Sequence, residues 1–158
     1  MQQFKTCLWY DDQAEEAIDH YKSIFKDFAV GAVSRHPDGP MAGKVLAIEF
    51  SIQGHSFLAL NGGPLFNFTE AVSFMVECRD QAEIDHYWDR LSEGGDPKAQ
   101  QCGWLKDKFG VSWQVVPVQM GQWFSSGDAE AAKRVTAAFM PMQKLDLATL
   151  QKAYDNRA

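Results

Sequence analysis

The chain reads as an α+β protein made of two copies of one strand–helix–three-strand (βαβββ) module, followed by a C-terminal helical tail. Three observations predict this. The tetrapeptide Ile18-Asp19-His20-Tyr21 recurs as Ile84-Asp85-His86-Tyr87, and each copy follows an Asp-Gln-Ala-Glu block, at 12–15 and 80–83. The closing hairpins also align, Gly54-His55-Ser56-Phe57 against Gly110-Val111-Ser112-Trp113. Beyond Gln119 strand-like alternation gives way to helical spacing. We expect residues 1–120 to form one domain of two modules, 1–62 and 70–120. Residues 121–158 are then a tail packed on that domain or on a partner subunit. An internal repeat also identifies equivalent positions, so a site can be tested slot by slot.

The first strand spans residues 4–10, rich in aromatic side chains, and Asp11-Asp12 breaks it. Residues 14–25 then carry Ala14, Ala17, Ile18, Tyr21, Ile24 and Phe25 on one stripe, the spacing of an amphipathic helix. Strands follow at 29–34, 44–52 and 56–60, separated by the loop His36-Pro37-Asp38-Gly39-Pro40 and the tight turn at Gln53-Gly54. In the second copy 72–78 is the strand and 81–92 the helix, stopped by Gly94-Gly95. Short strands are expected near 98–101, 103–106 and 111–116. In the tail, Ser125-Ser126-Gly127-Asp128 starts a helix with Ala131, Val135, Ala138 and Phe139 on one face, ending before Pro141. Asp146 can cap a last helix through Tyr154.

Composition narrows the function classes. With 15 basic and 21 acidic residues the net charge is -6, and no basic stripe stands out, so nucleic acid is not expected as a partner. No run approaches the roughly 18–20 apolar residues that span a bilayer. Residues 1–12 lack the basic cluster and apolar stretch of a secretory signal. Cys7, Cys78 and Cys102 are odd in number and not in CxxC spacing, which suits free thiols in the cytoplasm.

Several blocks are distinctive together: Leu60-Asn61-Gly62-Gly63-Pro64, Ile84-Asp85-His86-Tyr87-Trp88, Gln101-Cys102-Gly103-Trp104, Asp107-Lys108-Phe109-Gly110 and Ser112-Trp113-Gln114. On these blocks the chain resembles the PhnB-like branch of the vicinal oxygen chelate superfamily. That superfamily includes glyoxalase I, bleomycin-resistance proteins and extradiol dioxygenases, and the branch often carries the label 3-demethylubiquinone-9 3-methyltransferase domain. The resemblance runs over nearly the whole length and implies a glyoxalase/bleomycin resistance/dihydroxybiphenyl dioxygenase-like fold. It also implies half-barrel modules and a homodimer.

Metal-using members supply ligands from the first and last strands of each module, usually a His and a Glu. The repeat locates those slots here at Lys5 and Ser73 on the first strands, and Leu58 and Gln114 on the last. Lys5 has no lone pair at neutral pH, Leu58 has no donor, and Ser73 and Gln114 are weak neutral ligands. His20, His36, His55 and His86 all fall elsewhere. No metal and no cofactor are therefore expected.

Alternation places Ser73, Met75 and Glu77, and by equivalence Lys5, Cys7 and Trp9, on the sheet face opposite the helix. Ser56, Leu58, Leu60, Ser112, Gln114 and Val116 turn to the same side, and Trp104 adds stacking surface. The result is a mostly apolar hollow with a few polar groups, the make-up of a small-molecule site. Each candidate has a structural reading beside the functional one. Glu77 could be a general base if buried, or a solvated partner of Arg79. Gln114 could orient a ligand carbonyl or satisfy backbone groups. Cys7 could be a nucleophile or inert filler, and Lys5 an anion binder or a surface residue. The symmetry of His20 and His86 favours structural duty. Asn61-Gly62-Gly63-Pro64 lacks the Lys-Ser/Thr sequel of a phosphate loop and reads as a flexible connector.

Four functions compete. The first, and the one the residues favour, is a metal-free pocket for a small, partly aromatic or apolar molecule, in a sequestering protein or an enzyme of unknown reaction with catalysis left open. The second is a metal-dependent lyase, isomerase or dioxygenase. The third is a methyltransferase, which the lack of a glycine-rich turn after the first strand disfavours. The fourth is a dimeric interaction module with no ligand.

Overall fold

The aromatic opening of the chain forms strand β1 (Thr6–Tyr10), and after a bend at Asp11-Asp12 helix α1 (Ala14–Ile24) follows. The computed structural model describes residues 4–156; the first three residues of the expected first module and the last two of the expected tail lie outside them. Contacts divide the chain into two units, Met1–Phe68 and Thr69–Ala158.

In the first unit, strands β2 (Phe28–Arg35), β3 (Val45–Ile52) and β4 (His55–Asn61) complete a four-stranded sheet of order β1-β4-β3-β2. β1 runs parallel to β4, and β2, β3 and β4 are joined as antiparallel neighbours. The predicted stripe of α1 is the face it buries: Ala14, Ala17, Ile18, Tyr21 and Ile24 are all buried, as are Leu8, Tyr10, Phe50, Phe57 and Ala59 of the strands. The outer strand β2 is exposed along almost its whole length, and its pairing shifts register between Val30 and Val33. Such an irregularity bends an edge away from further strand pairing.

In the second unit, β5 (Phe74–Cys78) leads into α2 (Gln81–Ser92). Asp80 caps this helix by accepting from the Glu83 N–H at 2.9 Å, and Glu83 returns to the Arg79 N–H at 2.8 Å. Strands β6 (Trp104–Lys106) and β7 (Ser112–Pro117) give a three-stranded sheet of order β5-β7-β6. Ile84, Trp88 and Leu91 bury the helix on Val76, Cys78, Leu105, Trp113 and Val115.

The strand expected near 98–101 is not formed. A 3-10 turn, Pro97–Ala99, stands there, started by the Asp96 carboxylate on the Lys98 N–H at 2.9 Å. Proline supplies no N–H to a ladder and favours turn initiation. Only an isolated bridge between Gln101 and Trp104 remains, closed through Cys102 and Gly103, both at positive φ. The first strands are also shorter than expected. Val72, expected in the first strand of the second copy, is exposed and lies before β5, and Lys5 and Ser73 fall one residue before β1 and β5.

The tail holds three helices, α3 (Gln119–Ser125), α4 (Ala129–Phe139) and α5 (Leu147–Asp155), of which α3 was not legible in the spacing. Asp128 and Asp146 cap α4 and α5 through the N–H groups of Ala131 and Thr149. Trp123, Val135, Leu145 and Leu150 form a core with Val116 of β7. The Gln81 side chain bonds Leu145 O and the Leu147 N–H, while Lys144 reaches Asp85 at 3.1 Å and Asp89 at 2.9 Å. Among the described residues no helix is long and apolar enough to cross a membrane.

Candidate functional site

The parallel ladders set the slots. Thr6 stands opposite Phe57 in the first unit and Phe74 opposite Trp113 in the second, so Cys7–Leu58 corresponds to Met75–Gln114. This is the equivalence the repeat predicted, now fixed by hydrogen-bonded register. The turns before β4 and before β7 match as well, since Gly54 and Gly110 take φ of 78° and 87°, a region open to glycine.

In the first unit the face away from α1 is largely occupied by its own side chains. Lys5 Nζ donates to Glu49 Oε1 at 2.5 Å, over a shallow hollow of about 190 Å³ that Ser56 also lines. Leu58 sits between Cys7 and Glu49 in the sheet register. Desolvation raises the Cys7 thiol above its ordinary value, which works against nucleophilic use. Trp9 is not open stacking surface: its Nε1 donates to Gly63 O at 2.8 Å, and Phe66 packs edge-on at 5.0 Å.

The connector is correspondingly well held. Gly62 and Gly63 N–H groups bond Tyr10 O and Asp11 O, and a Cβ on Gly62 would come within 2.4 Å of the Trp9 ring. Asn61 Oδ1 accepts the Ala14 N–H at 2.9 Å, capping α1 from outside, where Gln13 provides no side-chain cap. The Asn61-Gly62-Gly63-Pro64 block is thus a bracket across the ends of β1, β4 and α1, not a flexible joint.

A larger cleft of about 790 Å³ lies at the same end of this unit, lined by Asp11, Asp12 and Glu15 together with Arg35, His36 and Lys44. It contains none of the predicted site residues.

In the second unit the face away from α2 is more open. The registers place Met75, Gln114 and Trp104 in one row and Ser112 and Lys106 in the next. Gln114 Nε2 donates to Ser73 Oγ at 2.9 Å, so these two slots satisfy each other. Met75 is 56% exposed. Glu77 is exposed opposite Val116 on β7, and Arg79 pairs with Glu83 rather than with it. Val116, expected in the hollow, is instead covered by the tail core.

Beside β6 a hollow of about 420 Å³ is lined by Trp104, Ser112, Lys106, Glu70, Gln101 and Cys102, with Ala99 and Leu105 behind them. Ser112 is only 2% exposed, and its Oγ has no hydrogen-bond partner among the described residues. Lys106 Nζ pairs with Glu70 Oε1 at 2.6 Å, which holds the Glu70 carboxyl below its usual range. Gln101 Nε2 and Cys102 Sγ both donate to Met140 O, at 2.6 and 3.3 Å. Of the predicted residues, Trp104 and Ser112 are brought together here. Lys106 was missed although strand alternation puts it two residues from Trp104 on the same face. Glu70 had no signal, because it lies in the irregular segment before β5.

The Asp107-Lys108-Phe109-Gly110 and Ser112-Trp113-Gln114 blocks have a structural origin. Buried Asp107 accepts the N–H groups of Phe109 and Val111 at 2.9 and 3.0 Å, and Trp113 Nε1 at 2.8 Å.

The four metal slots do not fit a divalent ion. Lys5 is spent on Glu49, Leu58 has no donor, and Ser73 and Gln114 bond one another. Among the described residues no three His, Cys, Asp or Glu side chains converge to hold one.

Residues 2–116 match the family model described as 3-demethylubiquinone-9 3-methyltransferase. Among solved structures, a putative 3-demethylubiquinone-9 3-methyltransferase, PhnB protein, from Bacillus cereus is 32% identical with a TM-score of 0.64, over 74% of this chain and 100% of that one. Protein PA1353 from Pseudomonas aeruginosa is 20% identical with a TM-score of 0.58, over 74% of this chain and 98% of that one. The fosfomycin resistance protein FosX from Listeria monocytogenes is 16% identical with a TM-score of 0.49, over 72% of this chain and 91% of that one. No curated protein matches the chain.

Proposed function

The chain belongs to the 3-demethylubiquinone-9 3-methyltransferase family, the PhnB-like branch of the vicinal oxygen chelate superfamily, and on that premise we propose a metal-free binding function. Its ligand is a small, partly aromatic or apolar molecule, held in the hollow beside β6. The observation that carries this reading is Ser112, a buried hydroxyl with no partner among the described residues, in a recess walled by Trp104. An unsatisfied buried hydroxyl costs about 1–3 kcal/mol, which a ligand oxygen or amide would remove. The donor-poor slots at Lys5, Leu58, Ser73 and Gln114 support a pocket that works without a divalent ion.

The reading stops at binding. Lys106 is engaged by Glu70, and among the described residues no base contacts Ser112 Oγ, which supports a binding role over nucleophilic catalysis. The family description speaks of methyl transfer. However, β1 passes through Asp11-Asp12 into α1 without a glycine-rich turn, in a mixed sheet unlike the doubly wound dinucleotide sites.

The test is a nuclear magnetic resonance titration of the full chain, purified without chelators, with small aromatic fragments. Shifts should concentrate on the Trp104 indole N–H and the amides of Lys106 and Ser112. Hits mapping to other surfaces, or near-stoichiometric divalent metal in the purified protein, would defeat the proposal. Binding of labelled S-adenosylmethionine would revive methyl transfer.

A further inference from the structure

Resting on that pocket reading, we infer that the ligand is an aromatic carboxylate. Its carboxyl group takes the place of Glu70 on Lys106, Ser112 Oγ donates a second hydrogen bond to it, and its ring lies on Trp104.

The Lys106 side chain is 26% exposed, on the edge strand of a sheet whose neighbouring walls are Trp104, Leu105 and Ala99. A partly buried ammonium needs an opposite charge, because leaving water without one is costly. Its counter-charge, Glu70, is 61% exposed and comes from a segment that forms neither strand nor helix. An ion pair held from such a position contributes little, since one long side chain must be ordered in water to make it. A ligand carboxylate could replace it with no change in the charge count of the recess.

The second anchor is placed by register. Lys106 and Ser112 are direct cross-strand partners, and such pairs hold their Cβ atoms about 5 Å apart, so the two side chains rise from neighbouring points of one sheet face. Ser112 Oγ is the unsatisfied group at that point. The other polar ends of the recess are committed, with Gln101 Nε2 and Cys102 Sγ both on Met140 O. Ser112 is thus the unpartnered, neutral handle for a ligand, and Lys106 the cationic one once the exposed Glu70 gives way. Both complement a carboxylate better than an amide or an alcohol. Trp104 supplies the ring contact beside them.

Two probes of matched shape separate this inference from the pocket reading: benzoate and benzamide, titrated into wild type, Glu70→Gln and Lys106→Gln. Benzoate should bind about tenfold more tightly than benzamide, as a charge-assisted pair in a partly desolvated site would give. Glu70→Gln removes the competing carboxylate and should tighten benzoate several-fold while leaving benzamide unchanged. Lys106→Gln should abolish the preference, and an unchanged far-ultraviolet circular dichroism spectrum and cooperative thermal unfolding show that the variant is folded. Equal affinity for both probes, or a Glu70→Gln variant that does not gain benzoate affinity, would overturn the anionic assignment and leave the pocket standing. Failure of both probes to bind wild type would remove the pocket reading and this inference with it.

Discussion

Gly62 faces the indole of Trp9, and that contact assigns two residues at once. Trp9 becomes the anvil for the connector, and Gly62 becomes a position where any Cβ would collide with a ring rather than with a flexible chain end. Gly62→Ala should destabilise the protein by roughly 1–3 kcal/mol in urea unfolding, the usual cost of overpacking. In a Trp9→Leu background the same change should cost clearly less, and an unchanged penalty would show that the ring is not the obstacle. Asp107 carries comparable weight in the second unit. Asp107→Ala strands two backbone N–H groups and the Trp113 indole N–H, and should cost about 2–5 kcal/mol in the same assay. The Cys78 thiol is quiet for a physical reason as well. Burial, with Glu83 and Asp80 nearby, pushes Cys78 up to about 12, so iodoacetamide at pH 8 should leave it unmodified until the protein unfolds.

At the scale of elements, the tail is a structural part of the second unit. Leu150 on α5 is fully buried in the core that also takes Val116 of β7. Leu150→Ala should cost roughly 2–5 kcal/mol, the range for truncating a buried leucine, read from thermal unfolding. Asp146→Ala should cost about 1 kcal/mol through the lost α5 cap. The short strand β6 belongs at this scale too. With the segment before it turned by Pro97, β6 is left as the edge of its sheet, and the recess forms along that edge. The first unit has a strand in the equivalent place, β2, and there the matching hollow is shallower and filled by Lys5 and Glu49.

For the whole molecule, the pH profile of stability follows from groups whose titration is shifted. Glu70 is held down by Lys106, Asp85 by Gln81 and then Lys144, and Asp146 by Thr149, from ordinary values of 4.5, 3.8 and 3.8. A lowered carboxyl contributes its stability fully above its unfolded value and loses it as pH falls through the folded one. Lys144 is penalised by desolvation, but Asp89 and Asp85 raise it overall above 10.5, so its share is lost only as pH rises beyond that. Thermal unfolding temperatures should therefore hold level between about pH 5 and 8.5, fall below about pH 4.5, and fall again above about pH 9, where the unfolded chain ionises the Cys78 thiol that burial keeps protonated in the fold. A decline beginning near neutrality would contradict these pairings. The repeat, helices α1, α2, α4 and α5, the helix starts at Asp128 and Asp146 and the slot equivalence were legible in the sequence. Each is written in spacing a few residues long, or in a copy of that spacing. The fate of the face opposite the helices was not legible. Trp9 is covered by Gly62 and Gly63, Lys5 is neutralised by Glu49, Val116 is taken by the tail, and Lys106 meets Glu70. These outcomes join residues dozens of positions apart, and alternation tells which side of a sheet a residue faces but not what arrives there to cover it.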